Sequence, residues 1–334
     1  MRRALAAALL PLLAASLVAC GGDDDRLTIY SGRTENLVGP LLKRFNEETG
    51  IAIDVRYGDS AELALLVEQE GDQTPADVFI SQSPGAVGFL AEDGALAALP
   101  EDALDAVPAD FRSADGRWVG LSGRVRTLVY NTDLVDEADL PVSVLDLADE
   151  QYRGDVAVAP TNGSFQDFVS ALREVEGDDV ARAWLEGMAA NDAPTYANNN
   201  AIVQAVARGE VPMGLVNHYY NERQLVEVPD SPTRNHFFPE GDIGSVLLVT
   251  AASLLNGSDR EDEATQLIEF LLQEEAQTFF SGETFEYPLT AGVEPAVDLP
   301  PLDEIVATTV DLDRLGGDLE TTRQLIADSG LEAG

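Results

Sequence analysis

The sequence is almost without thiols, imidazoles and ammonium groups. Cys20 is its single cysteine, so no internal disulfide and no thiolate cluster for zinc or for iron and sulfur can form. His218 and His236 are the only histidines, and the chain has no G-x-S-x-G elbow, no H-E-x-x-H, no G-x-x-x-x-G-K-[ST] and no G-x-G-x-x-G. Carboxylate pairs abound among the 60 acids, but at that density each defaults to a solvated face, and no enzyme is expected. Bases are scarce: 20 Lys plus Arg, with Lys43 the one lysine, leave a formal charge of −40. Nucleic acid is excluded as a partner, because binding it needs clustered cations to neutralise phosphates. What the chain does have is 45% hydrophobic residues over 334 positions, enough for packed cores and, at about 100–200 residues per domain, for two of them.

Arg2 and Arg3 precede an apolar run from Ala4 to Val18, the charged start and hydrophobic middle of a secretory signal. The run ends in Leu17-Val18-Ala19-Cys20, which resembles the bacterial lipoprotein cleavage box. Residues 1–19 are therefore expected to be a signal peptide, Cys20 a lipid attachment site, and residues 20–26, with Gly21-Gly22-Asp23-Asp24-Asp25, a tether. A buried structural cysteine is the alternative. Losing residues 1–19 removes two arginines and no acids, leaving −42, a self-repulsion that favours a soluble monomer. An acid-rich, lysine-poor surface suits a salty medium, where screening shortens that repulsion.

Periodicity places a strand at Leu27-Thr28-Ile29-Tyr30, a helix with Leu37, Val38, Leu41, Leu42 and Phe45 on one face, kinked at Pro40 and closed by Gly50, and a strand from Ile51 to Tyr57. Asp59 or Ser60 caps a helix with Leu63, Leu66 and Val67, followed by a strand from Ala76 to Ile80 and a helix from Gly85 to Glu92. This βαβαβ order implies parallel strands with helices on the sheet faces. The alternation restarts with strands at Asp155–Ala159, Val211–Val216 and Val246–Ala252. The helices expected there are Ser164–Val175, Asp179–Met188, Asn200–Ala207 and Glu263–Leu272, with closing helices near Pro301–Thr308 and Asp318–Ala327. Trp118 and Trp184 read as core anchors.

The most unusual local feature is Asn217-His218-Tyr219-Tyr220, between an apolar strand and a polar helical stretch. In a continuing strand the two tyrosines point to opposite faces, whereas at a strand-to-helix turn both rings converge. Two phenolates at one point suit a hard trivalent cation. A phenol titrates near ~10, so the metal itself must displace the protons, which Fe³⁺ does far better than Mg²⁺ or Ca²⁺. Two interfacial tyrosines with packed rings and wet hydroxyls are the alternative.

Further strings run in order along the chain: Tyr30-Ser31-Gly32-Arg33, Thr49-Gly50-Ile51, Gly58-Asp59-Ser60, Thr74-Pro75-Ala76-Asp77-Val78-Phe79 and Ser122-Gly123-Arg124. They continue with Ala159-Pro160-Thr161-Asn162-Gly163-Ser164-Phe165, the tyrosine segment, and Glu286-Tyr287-Pro288-Leu289, which reads as a packed turn. From about residue 27 to 292 this pattern resembles the bacterial ferric-ion-binding proteins of ABC importers. The resemblance implies an α/β, two-lobed periplasmic-binding-protein fold (type II) with a hinge and an inter-lobe ligand cleft. Residues 27–124 with 249–292 would form the N-terminal lobe, and 125–248 with 293–334 the C-terminal lobe. It further implies that Tyr219 and Tyr220 hold Fe³⁺ as cargo, together with a synergistic anion such as carbonate or phosphate. Asn162, Gly163 and Ser164, opening a helix, would bind that anion, helped by Asn199, Asn217, Arg124 and Arg33. An ordinary helix start and a plain surface arginine are the alternatives for the loop and for Arg124.

The chain departs from the pattern in its first lobe. Some relatives place a histidine ligand where this sequence has Thr34 and a glutamate where it has Gln82; others carry a third tyrosine near Asn162 or Phe165. Tyr57, Asp59, Glu62 and Gln82 are the candidates to fill the gap, although for Tyr57, Asp59 and Glu62 a helix cap and an exposed face are the favoured reading. His218 is expected to support the tyrosines rather than bind metal. The expectation is a lipid-anchored receptor on the extracytoplasmic face of the bacterial cell membrane that delivers Fe³⁺ to an ABC permease. The alternative is a receptor of the same fold for an anion or small organic molecule, such as phosphate or a thiamine-like compound.

Overall fold

The computed structural model describes residues 26–305, 310–312, 314–315 and 319–331. The expected signal peptide, Cys20 and the Asp23–Asp25 run lie outside the described residues, as does part of the expected 301–308 helix. In chain order the elements are β1 (Leu27–Ser31), α1 (Glu35–Thr49), β2 (Ile53–Tyr57), α2 (Ser60–Glu70), β3 (Val78–Ser81), α3 (Pro84–Glu92), α4 (Glu101–Asp105), β4 (Trp118–Asn131), β5 (Val156–Ala157), α5 (Gly163–Glu176), α6 (Asp178–Ala190) and α7 (Asn199–Ala207). They continue with β6 (Met213–Asn217), α8 (His218–Glu227), β7 (Thr233–His236), β8 (Leu247–Leu254), α9 (Glu261–Leu272), α10 (Glu274–Glu283), β9 (Tyr287–Pro288), α11 (Leu302–Ile305) and α12 (Leu319–Asp328).

The local rules account for the first unit. Helix α1 buries Val38, Leu41, Leu42 and Phe45 at helical spacing and runs through Pro40 as one element. It stops at Gly50, whose φ of 75° puts it in the left-handed conformation that a glycine adopts without a Cβ penalty. β1 pairs in parallel with both β2 and β3, as the βαβαβ reading requires. β8 then joins β3 antiparallel.

The element that organises the molecule is β4, fourteen residues long and buried throughout. Over Trp118–Val125 it pairs with β8, and over Arg126–Tyr130 with β6. The chain thus passes from one sheet to the other inside a single strand. β6 pairs in parallel with β5, and β7 flanks β4. Trp118 and Trp184 are both buried; Trp184 packs against Phe165 and Phe168 and donates its indole N–H to the Val144 carbonyl at 2.9 Å, satisfying the polar edge of a core aromatic. α12 is pinned to α5, with Thr322 Oγ1 lying 2.8 Å from Ser170 Oγ and accepting from Arg173 at 2.8 Å.

Candidate functional site

In open α/β sheets ligands bind beyond the carboxyl ends of the strands, and a cavity of about 660 Å³ lies there. One wall follows the ends of β1, β2 and β3 with Gly32, Asp59, Ser60, Gln82 and Ser83; the other follows β5 and β6 with Asn162, Gly163, Ser164, Asn217, Tyr219 and Tyr220. Gly32 is required sterically, because a Cβ there would sit 1.9 Å from Ser60 Oγ. That hydroxyl accepts from the Gln82 backbone N–H at 2.9 Å, so the close approach ties the ends of β1, β2 and β3 together.

Tyr219 and Tyr220 fall in the first turn of α8, immediately after β6, so the strand-to-helix junction brings both rings to one place. They stack with centroids 4.2 Å apart and planes 28° from parallel. Burial raises the Tyr219 phenol well above its ordinary value; Tyr220 and Glu286 push the same way, and Arg124 opposes them. An isolated phenolate is therefore unfavourable here, and a cation of high charge is what makes one favourable. Among the described residues no three His, Cys, Asp or Glu side chains converge on a metal position.

The loop that opens α5 is held by side chains from four segments. Asn162 caps α5, its Oδ1 accepting from the Ser164 N–H at 3.2 Å and the Ser164 hydroxyl at 2.6 Å. Asn199 stands behind the loop, fully buried, and donates to Asn162 Oδ1 at 3.1 Å and Ser164 Oγ at 3.0 Å. Gly163 opens the helix on the cavity side, where first-turn N–H groups and the positive dipole end favour an anion.

Arg126 is the residue that sequence reasoning missed. Its guanidinium donates to Ser164 Oγ, Asn199 Oδ1 and Asn217 Oδ1, each at 3.3 Å, and to the Leu215 carbonyl at 3.0 Å. Burial lowers its pKa to about 9, against the pull of Tyr220, Asp167 and Tyr219, so at neutral pH a positive charge sits behind the loop with no carboxylate among the described residues in salt-bridge contact. The signal was present: Arg124 and Arg126 are two apart on a strand and so share a face. Arg124 lines the cavity, donates to Thr250 Oγ1 at 3.2 Å and to the Gln82 carbonyl, and lies 3.8 Å from Asp167.

Other expected residues lie elsewhere. Arg33, expected to supply charge to an anion, is fully buried away from the cavity in a bidentate pair with Glu286 at 3.0 and 2.9 Å and donates to Thr250 at 2.6 Å. Its charge is already neutralised by a buried carboxylate. Tyr57 lies against α1 near Gly39, its phenol raised by burial and by Glu35, and Glu62 is exposed on α2; neither lines the cavity. Asp59 and Gln82 do line it, Asp59 while capping α2 through bonds from the Ala61 and Glu62 N–H groups at 2.9 and 3.2 Å.

His218 packs edge-on against Tyr219, with ring centroids 6.0 Å apart. Val125 donates its N–H to Nδ1 at 3.1 Å, and Nε2 donates to the Phe285 carbonyl at 2.8 Å, which fixes the neutral Nε2–H tautomer. Burial holds its pKa down at about 4, so it stays neutral across physiological pH.

The cavity's two walls touch. Ser83 Oγ donates to Asp167 Oδ1 at 2.6 Å, joining the end of β3 to α5. Replacing Ser83 by alanine leaves a buried carboxyl oxygen without its donor, about 1–3 kcal/mol, a cost felt only while the walls are together. Ligand affinity is expected to fall about tenfold or more with an unchanged Tm, as titration calorimetry and a thermal melt of the ligand-free protein will read. An equal loss in both would make the bond a permanent structural one.

Residues 73–315 match the bacterial extracellular solute-binding proteins. The chain is 30% identical over 328 residues to the Fe(3+)-binding periplasmic protein of Serratia marcescens, covering 96% of each chain. Among solved structures it resembles iron-bound HitA from Pseudomonas aeruginosa with a TM-score of 0.84 at 33% identity, over 91% of this chain and 99% of that one. It also resembles a Trichodesmium protein, IdiA or FutA, in complex with iron and citrate, with a TM-score of 0.80 at 27% identity, over 92% and 100%. These are two-lobed α/β transport receptors rather than enzymes. With its sheet ends facing one cavity and its family pattern running through both walls, this chain belongs to the bacterial extracellular solute-binding protein family.

Proposed function

We propose that this protein is a receptor that captures Fe³⁺ with an accompanying anion outside the cytoplasmic membrane and delivers it to an ABC permease. The observation that carries this reading is the stacked pair Tyr219 and Tyr220 on the cavity wall, beside an anion loop backed by Arg126. Relatives named for ferric-iron binding support it. Residues 27–124 with 249–292, and 125–248 with 293–334, form the two lobes, and Cys20 carries the lipid that holds a monomeric body at the membrane. Capture begins on the second wall, where Tyr219, Tyr220, Asn162, Gly163, Ser164 and Asn217 receive metal and anion. Contact with the first wall then excludes water and strengthens the electrostatics. Asn199 and Arg126 hold the loop in shape, and Arg124 adds charge.

Ferric ion bound by tyrosinate absorbs strongly in the visible, so iron loading followed by desalting gives a coloured protein. Each phenolate forms by release of one proton, so affinity falls as pH falls, by up to about tenfold per ligating tyrosine per pH unit. A spectrophotometric titration from neutral to mildly acidic pH checks this. A colourless loaded protein, or iron affinity indifferent to pH, removes direct phenolate ligation and leaves an anion receptor of the same fold.

A further inference from the structure

We propose that Asp167 sets the specificity of the anion subsite: it is a fixed acceptor that admits an oxyanion carrying a proton, such as hydrogenphosphate or hydrogencarbonate, and turns away one that carries none, such as sulfate. This rests on the reading of the site as a receptor for Fe³⁺ with an accompanying anion.

Placement is the first reason. Asp167 stands four positions after Gly163 on α5, so the two share a helix face, and both line the cavity. An anion drawn to the first-turn N–H groups of α5 meets this carboxylate one turn further on. That turn rises about 5.4 Å, a span that one oxyanion bridges through its hydrogen bonds. Arg124 marks the same place from β4. It is 1% exposed and lines the cavity, and its Nε–H has no acceptor among the described residues, while its Nη2 lies 3.8 Å from Asp167 Oδ2.

The second reason is the way Asp167 is held. Its Oδ1 accepts from the Ser83 hydroxyl at 2.6 Å, which fixes the rotation of the carboxylate. Its Oδ2 has no donor within hydrogen-bond distance among the described residues, because 3.8 Å to Arg124 is too long. The side chain keeps 11% of its surface exposed and lines the cavity, so this oxygen is an acceptor with room for a donor. A carboxylate can only accept. A protonated oxygen facing it donates, whereas a bare oxygen leaves two acceptors opposed and both unsatisfied.

The other carboxylates on the cavity do not offer this choice. Asp59 caps α2 on the opposite wall, its Oδ1 taken by the Ala61 and Glu62 N–H groups. Glu320 is exposed on α12. Of the three, Asp167 alone shares a helix with the loop.

The test loads wild type, Asp167→Asn and Glu320→Gln with Fe³⁺ in phosphate or in sulfate and reads affinity from the tyrosinate band. Burial raises the Asp167 carboxyl, against Arg124 and the Ser83 bond, so the comparison is made at mildly alkaline pH. There the carboxylate is ionised, and hydrogenphosphate and sulfate are tetrahedral dianions of similar size that differ by one proton. In Asp167→Asn, Oδ1 keeps the Ser83 bond while an amide N–H donor replaces Oδ2. Each anion's own hold on free iron is common to all three proteins and drops out when their preferences are compared. Asp167→Asn is expected to shift the preference toward sulfate by at least about tenfold, and Glu320→Gln by less than twofold. Thermal melts of the ligand-free variants verify their folds. Native mass spectrometry of wild type loaded in equal phosphate and sulfate is expected to find phosphate retained. Sulfate retained equally, an unchanged preference in folded Asp167→Asn, or an equal shift in Glu320→Gln overturns the proposal and leaves the ferric receptor intact. No band from wild type with either anion overturns the ferric reading itself and this proposal with it.

Discussion

A Tyr219→Phe, Tyr220→Phe double variant loses the visible band completely, and its iron affinity falls by more than the ~10–100-fold that loss of an outer supporting contact costs. Phenylalanine keeps the stacked ring pair, with centroids at 4.2 Å, and so removes the two oxygens without removing the packing. Circular dichroism and Tm should match wild type. If iron binding survives in a well-folded double variant, the metal is held by other groups and the tyrosines merely form a wall.

The second large effect is on stability and concerns Arg33, first expected at the anion site, and its partner Glu286. Glu286→Ala leaves Arg33 charged, fully buried and unpaired, which costs about 3–5 kcal/mol. A denaturant midpoint reads it. The double change Arg33→Met, Glu286→Met removes both charges and is expected to be nearly neutral or stabilising, with cargo affinity held within a few-fold; a large affinity loss there would restore Arg33 to the binding site. Burial pushes Glu286 up, but Arg33, Arg124 and Ser122 outweigh it and hold its pKa below the ordinary 4.5. Its contribution to stability is therefore complete above that value and is lost as pH falls through the lower folded one.

Much of the fold could be read from short-range pattern. Val38, Leu41, Leu42 and Phe45 mark one helix face, Gly50 marks its end, and both are where the spacing puts them. The tyrosine pair was legible because an apolar strand gives way to a polar helix at that point. β4 was not. Gly120, Gly123, Arg124 and Arg126 interrupt it, and a strand buried on both faces shows no alternation to detect. Arg126 escaped although it stands two positions from Arg124, since its partners Ser164, Asn199 and Asn217 come from three segments that only the fold assembles. Arg33 misled because its local string fits the family pattern, while the carboxylate that claims it lies 253 positions away.

Because one strand, β4, serves both sheets, the two sheets are joined by a stiff axle instead of a slack tether. Arg124, bonded to Thr250 and the Gln82 carbonyl, ties that axle to the first wall, and Arg126, bonded to Asn199 and Asn217, ties it to the second.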